Sequence, residues 1–280
     1  IGGDLKQIAV VLGAGGQLGR ELLRTAGPQI DCVALTRAQL DIGDPAAVAD
    51  RLAELSPALV LNAAAYTAVD AAETDAVAAR RANVEGPANL AQSCRDIGAR
   101  LIHVSTDFVF DGESTHPYAP DAATAPLGEY GRGKLAGEQA VRRILPNTVV
   151  MRSGWVYSHF GSNFVKTMLR LMSQRDEITV VADQVGTPTW ARGLAQALWA
   201  AARRPDLSGV YHWSDAGECS WYDFAVAIYE EASALGLLTR PVTIMPIPAS
   251  EYPTAARRPA YSVLDKTSSW RDLELPAVDW

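Results

Sequence analysis

The stretch from Ile8 to Gly19 constrains the fold more than any other. Ile8-Ala9-Val10-Val11-Leu12 is a continuous apolar run, as a strand needs when both of its faces are covered. It leads straight into Gly13-Ala14-Gly15-Gly16-Gln17-Leu18-Gly19, and a helix is expected from there to about Ala26. Gly13, Gly16 and Gly19 make a G-x-x-G-x-x-G turn, with Gly15 as an additional glycine. In that order, the helix start aims N–H groups and its positive dipole end at an anion, and the glycines admit a close backbone approach. A ligand-free glycine turn has the same composition, but the strand before and the helix after favour a dinucleotide site.

The pattern of apolar strand then helix repeats. Cys32 to Leu35 reads as a second strand, ending in Thr36-Arg37. An acidic residue near here would hold the adenosine ribose of NAD. A hydroxyl and a guanidinium suit a 2′-phosphate instead, although a solvated loop arginine would look the same. Asp44-Pro45 is an N-cap followed by proline at the first helical position, and Pro57 stops that helix near Ser56. Asp41, just before the cap, can face the adenine edge. Leu59 to Asn62 is the third strand, followed by the small residues Ala63, Ala64 and Ala65, then Tyr66 and Thr67. They suit a flat ligand lying close, and helix–sheet packing equally well. Asp70 to Ile97 reads as two alanine-rich helices meeting near Asn83 to Pro87. The fourth strand, Leu101 to Ser105, ends in Thr106-Asp107, with His103 packed inside it. Alternating strands and helices predict an α/β, doubly wound parallel sheet. Its ligands sit beyond the carboxyl ends of the strands, where Ser105 and Thr106 lie.

Tyr130 and Lys134 stand four residues apart in a helix-forming stretch, so they share one face, one turn apart. A phenol beside an ammonium is a proton-transfer pair. The positive charge is expected to lower the tyrosine pKa and ready it to protonate a carbonyl oxygen that receives a hydride.

A chain of 280 residues suits one large and one smaller domain. The net charge of −7 argues against a general nucleic-acid binder. Cys32, Cys94 and Cys219 are odd in number and widely spaced, so neither a disulfide framework nor a metal site is expected, and a reducing cytoplasm is the natural location. No stretch approaches the ~20 apolar residues of a membrane span. Ile1 to Asp4 lacks the features of a signal peptide.

In the second half, a fifth strand, Val149 to Arg152, leads to Trp155, whose flat face could meet a sugar or fill a core. Asn163 opens an amphipathic helix to about Gln174. Asp183 to Thr189 reads as a polar loop, followed by a helix from Trp190 to about Arg203. Val210 to Trp213 is a short strand, and Ser220 caps a further helix. The proline-rich end suits an irregular small domain closing over a substrate. There Arg257-Arg258 could make forked bonds to a phosphate.

Together these residues carry a resemblance. The glycine turn, the strand-end Ser105-Thr106-Asp107 and Tyr130-x-x-x-Lys134 resemble the extended short-chain dehydrogenase/reductases. The phrases Gly16 to Gly19, Asn62 to Asp70, Ser105 to Gly112, Tyr130 to Glu138, Arg152 to Tyr157, Asn163 to Met168, Asp183 to Thr189 and Arg258-Pro259 resemble the dTDP-4-dehydrorhamnose reductase family more specifically. The resemblance implies a Rossmann-type doubly wound sheet with a small discontinuous α/β substrate domain. We expect residues 1–155 with 187–214 in the first and 156–186 with 215–280 in the second. It implies NADPH, with NADH as an alternative, and reduction of the C4 carbonyl of dTDP-4-dehydro-L-rhamnose. The catalytic residues would be Thr106, Tyr130 and Lys134. Gly13, Gly15, Gly16, Gln17, Leu18, Thr36, Arg37, Asp41, Ile42, Ala64, Ala65, Tyr66 and Thr67 would hold the cofactor with Tyr130 and Lys134. Thr106, Asp107, Trp155, Asn163, Gln184 and Arg258 would hold the dTDP-sugar.

Two departures matter. Phe108 stands where many relatives have Tyr, and the basic Arg192 argues against the metal-bridged dimer of some relatives; a monomer or homodimer is expected. Two other readings stay open: a nucleotide-sugar epimerase, and a non-catalytic NADP-binding regulatory subunit of a partner enzyme. Thr36-Arg37 speaks against the first, and the intact Thr106, Tyr130 and Lys134 against the second.

Overall fold

The computed structural model describes residues 7–280, so Ile1 to Asp4 lie outside the described residues. The first half runs β1 (Gln7–Leu12), α1 (Gln17–Thr25), β2 (Ile30–Leu35), α2 (Pro45–Leu55), β3 (Leu59–Asn62), α3 (Val69–Ala72), α4 (Ala76–Arg80), α5 (Gly86–Ile97), β4 (Arg100–Thr106) and α6 (Glu129–Ile144). The second runs β5 (Val149–Ser153), β6 (Val156–Tyr157), α7 (Phe164–Gln174), β7 (Glu177–Val181), β8 (Val185–Gly186), β9 (Thr189–Trp190), α8 (Ala191–Ala202), β10 (Gly209–His212), β11 (Cys219–Ser220), α9 (Trp221–Ala234), β12 (Thr243–Ile247) and α10 (Thr267–Leu273).

Six strands make one parallel sheet in the order β10-β5-β4-β3-β1-β2. The chain leaves β1 for β2 on one side and returns to β3 on the other. The reversal opens a crevice beyond the carboxyl ends of β1 and β3. The unbroken apolar run of β1 follows from burial on both faces. Ala9 and Val11 point into a core with Leu22 of α1 and Leu194, Leu198 and Trp199 of α8, whereas Val10 and Leu12 point into a core with Val48 and Leu52 of α2 and Leu90 of α5.

A third core joins Met168 and Met172 of α7 with Ile178 and Val180 of β7 and Phe224, Ala225 and Ile228 of α9. Around it the chain is more regular than its prolines suggest: β12 lies parallel to β7 as an edge strand, where Pro246 is tolerated. The expected boundaries shift at the end of the chain. Trp270, Leu273 and Leu275, assigned by sequence to the small domain, pack on the core of β1 and α8.

Two other expectations change. The helices thought to meet near Asn83 to Pro87 are continuous there through a π-helical turn, Arg81–Glu85. The break lies earlier, where Asp75 caps α4 with a bond from the Ala78 N–H. The expected loop from Asp183 to Thr189 contains β8 and the first residue of β9. Among the described residues the three cysteines are free, no cluster could hold a metal ion, and no helix is long and apolar enough to cross a membrane.

Candidate active site

A cleft of about 700 Å³ opens at the carboxyl ends of β1, β3 and β4. All the cofactor residues expected from sequence border it, together with Thr106, Asp107 and Trp155. Its floor is the glycine turn. Gly13 has φ +72°, and a Cβ there would lie 2.7 Å from the Ala63 carbonyl oxygen. Gly19 packs directly on Gly13, where a Cβ would overlap the Gly13 carbonyl. Only glycine brings the turn, the end of β3 and α1 this close. Gly16 caps α1 without a side-chain bond, so the first-turn N–H groups are left to face the cleft. A diphosphate fits that cradle.

The wall beside it is held by a residue that the sequence reading did not single out for the site. Asn83, fully buried in the π turn, accepts from the Tyr66 N–H at 2.9 Å and donates to the Tyr66 carbonyl at 3.0 Å. This two-bond clasp fixes the segment from Ala64 to Thr67. At the adenosine end, Thr36 is committed elsewhere: its N–H and its hydroxyl both donate to Gln39 Oε1, at 2.9 and 2.8 Å. Asp41 accepts from the Gly43 N–H at 2.9 Å and from Arg81 at 3.0 Å, which holds its carboxyl below the usual range.

Tyr130 and Lys134 sit on α6, one turn apart and both buried. Two glycines let α6 approach closely. A Cβ on Gly131 would overlap the Phe108 carbonyl, and one on Gly137 the Asn83 carbonyl. A buried forked ion pair ties the same helix to β5: Arg152 donates to Glu138 at 2.9 Å through Nε and 2.7 Å through Nη2. Phe108 meets Tyr130 edge-on, with ring centroids 5.5 Å apart.

The electrostatics reverse the sequence expectation. Burial pushes the Tyr130 phenol up to about 12, the charge of Asp107 adds to that, and a hydrogen bond with the Thr106 side chain only partly offsets it. Lys134 does not lower it. Its ammonium donates to the Val104 carbonyl at 2.7 Å, and burial brings its own pKa down to about 8. Asp107 is raised to about 6 by burial, opposed by hydrogen bonds from Ser262 and Thr106. At neutral pH this tyrosine carries its proton, as a proton donor must.

Three expected substrate residues stand elsewhere. Asn163 caps α7, accepting from the Lys166 N–H at 3.1 Å, and its amide donates to Gln17 at 2.8 Å. Gln184 and Arg258 border a second cavity of about 540 Å³ that also has Tyr252 and Arg257 on its rim. Arg258 is paired with Asp70 at 2.8 Å, a contact 188 residues apart in the chain and invisible in a local pattern. Trp155 does border the main cleft, with φ +50° and its ring stacked on Trp221 at 3.4 Å.

The chain resembles known proteins over nearly its whole length. The family model described as RmlD substrate binding domain matches residues 7–280. A dTDP-4-dehydrorhamnose reductase of Burkholderia thailandensis is 43% identical over 97% of this chain and 94% of its own length. A probable dTDP-4,6-dihydroxy-2-methyloxan-3-one 4-ketoreductase of Streptomyces antibioticus is also 43% identical, over 97% of this chain and 91% of its own. The crystal structure of a Bacillus anthracis dTDP-4-dehydrorhamnose reductase in complex with NADP superposes with a TM-score of 0.92 at 35% identity, covering 98% of this chain and 95% of that one.

Proposed function

Since the chain belongs to the RmlD substrate binding domain family, that of the dTDP-4-dehydrorhamnose reductases, we infer that it reduces the C4 carbonyl of dTDP-4-dehydro-L-rhamnose to dTDP-L-rhamnose with NADPH. The observation that carries this reading is the buried, protonated Tyr130 beside Thr106 in the cleft that begins at the glycine turn. When bound, NADPH supplies the hydride that reduces the carbonyl carbon.

The residues of the chain do the rest. Tyr130 gives its phenolic proton to the C4 oxygen as negative charge develops there. Thr106, held in place by Asp107, sets the direction of that phenol and completes the polar end of the site. Lys134 lies one turn away and brings a positive charge to the same cleft. The first-turn N–H groups of α1 take the diphosphate. Trp155, carried at the junction with the smaller core, offers a flat apolar face to the deoxysugar. The division of labour is thus a cofactor-binding sheet and a smaller substrate-side unit built around α7, α9, β7 and β12. Three free cysteines suit a cytoplasmic enzyme.

The test is substrate-dependent oxidation of NADPH, followed by the loss of nicotinamide absorbance, with the 4-keto sugar generated in the same cuvette by upstream dTDP-sugar enzymes. Turnover that needs the dTDP-4-keto sugar supports the reading. Tight NADPH binding with no turnover of that substrate overturns it.

A further inference from the structure

We propose that Arg81, on the π turn between α4 and α5, joins Arg37 as the clamp for the adenosine 2′-phosphate, with Asp41 as the residue that positions Arg81. The inference rests on the NADPH-binding reading of the cleft. The two arginines border the same end of that cleft, with Asp41 between them.

The argument is one of which donors remain. Thr36, at the carboxyl end of β2, is the nearest hydroxyl, but both of its protons go to Gln39 Oε1. It has none to give to a phosphate. Arg37 is exposed, and among the described residues its guanidinium makes no hydrogen bond or ion pair. Arg81 is half-exposed and is held in one place by two contacts. Its Nε and Nη2 donate to Asp41 Oδ2 at 3.3 and 3.0 Å, leaving Nη1 without a partner among the described residues. Its stem lies on Gly43, where a Cβ would come within 2.5 Å of Arg81 Cγ. Gly43 therefore clears the path that Arg81 takes to the cleft.

Asp41 stands where an acidic residue could accept a ribose hydroxyl, yet both of its oxygens are engaged, one by the Gly43 N–H and one by Arg81. Its role is to orient a guanidinium. Two guanidiniums against one carboxylate leave a net positive end to the cleft. A planar fork with free N–H groups matches a phosphate better than a hydroxyl. The π turn has a use in this account: it places Arg81 on the cleft side while Asn83, two residues on, clasps Tyr66.

The experiment compares wild type with Arg81→Met, which keeps the stem on Gly43 and removes the charge. Affinities for NADPH, NADH, adenosine 2′,5′-bisphosphate and adenosine 5′-monophosphate are measured by fluorescence titration or calorimetry without sugar substrate. The variant is expected to bind NADPH and the bisphosphate about 10- to 100-fold more weakly, the effect of losing a charge-assisted contact. NADH and the monophosphate should change by less than about threefold. Asp41→Asn should show the same selectivity in milder form, and Arg81→Lys should recover part of it. Equal weakening of all four ligands would show a merely structural role and overturn the proposal. So would an unchanged preference for the 2′-phosphate. A wild-type protein that binds neither dinucleotide overturns the cofactor reading of the cleft and this inference together, an outcome distinct from the other two.

Discussion

The Thr106 hydroxyl donates to Asp107 Oδ1 at 3.0 Å, and both residues are buried at the end of β4. A carboxyl group in that setting is poorly solvated, so its pKa rises from 3.8 to about 6. Between those values the folded chain binds the proton that the unfolded chain has lost. Folding stability from this group therefore grows as pH falls from about 6 towards 4 and is absent at pH 7 and above. Asp107→Asn removes the titration. Urea unfolding at pH 7 and pH 5 should show wild type gaining about 1 kcal/mol on the variant at the lower pH. A constant difference between the two proteins would contradict the assignment. Turnover by the variant should fall, because Thr106 loses its charged anchor.

Tyr130→Phe deletes the phenolic proton and keeps the edge-on contact with Phe108. Turnover should fall by about 100- to 10,000-fold, the usual contribution of a positioned acid. NADPH affinity, measured by titration, should stay within about threefold. An active variant would remove Tyr130 from the chemistry.

These two residues show what was legible beforehand. The spacing of Tyr130 and Lys134 is a local pattern, and so are the glycine turn and the strand before it; each is decided by contacts within one turn or one element. The direction of the Tyr130 shift is not local. It follows from burial under Phe108 and from Asp107, on another element, and a helical spacing records neither. The same holds for Asn163, whose sequence signature as a helix cap was visible but whose bond to Gln17 spans 146 residues. For Arg258 the partner, Asp70, lies in the other half of the chain, so a local pattern shows the arginine and not the pair. Arg81 and Asn83 escaped for a different reason. An α-helical period assigns faces incorrectly across a π turn, so the cleft-facing Arg81 and the buried Asn83 that clasps Tyr66 look like an ordinary helix surface.

Lys134 should set the alkaline limit of cofactor capture. Burial lowers its pKa to about 8, so its positive charge is lost as pH rises through that value. The kcat/KM for NADPH, which reports the free enzyme, should decline above about pH 8. Lys134→Met should be slow throughout and lack that limb. A wild-type profile flat to pH 10 would place the titrating charge elsewhere.

Asn83→Leu keeps the branched shape of the side chain but strips both bonds from Tyr66, leaving an N–H and a carbonyl with no partner in a half-buried segment. The loss should be about 2–4 kcal/mol in urea unfolding, from two hydrogen bonds and the cost of unpaired groups. The segment from Ala64 to Thr67 would lose its fixed position, so cofactor affinity should weaken even at temperatures where the variant is fully folded. Unchanged affinity for NADPH would mean that this segment does not touch it.

Trp155 should divide sugar binding from cofactor binding. Its ring stacks on Trp221 with an interplanar angle of 4°, which ties the cleft wall to the first turn of α9 in the smaller core. Gly186 of β8 also lies close to the ring: a Cβ there would come within 2.5 Å of Trp155 Cε2. Gly186→Ala therefore pushes the ring, and Trp221→Leu removes its stacking partner, without either substitution touching the glycine turn or α6. Both variants should raise KM for the dTDP-sugar about tenfold, an aromatic contact of about 1 kcal/mol plus the cost of a displaced wall. NADPH affinity should hold. If the two variants instead weaken NADPH and leave the sugar KM unchanged, Trp155 belongs to the nicotinamide end of the cleft, and the deoxysugar must find its flat surface elsewhere.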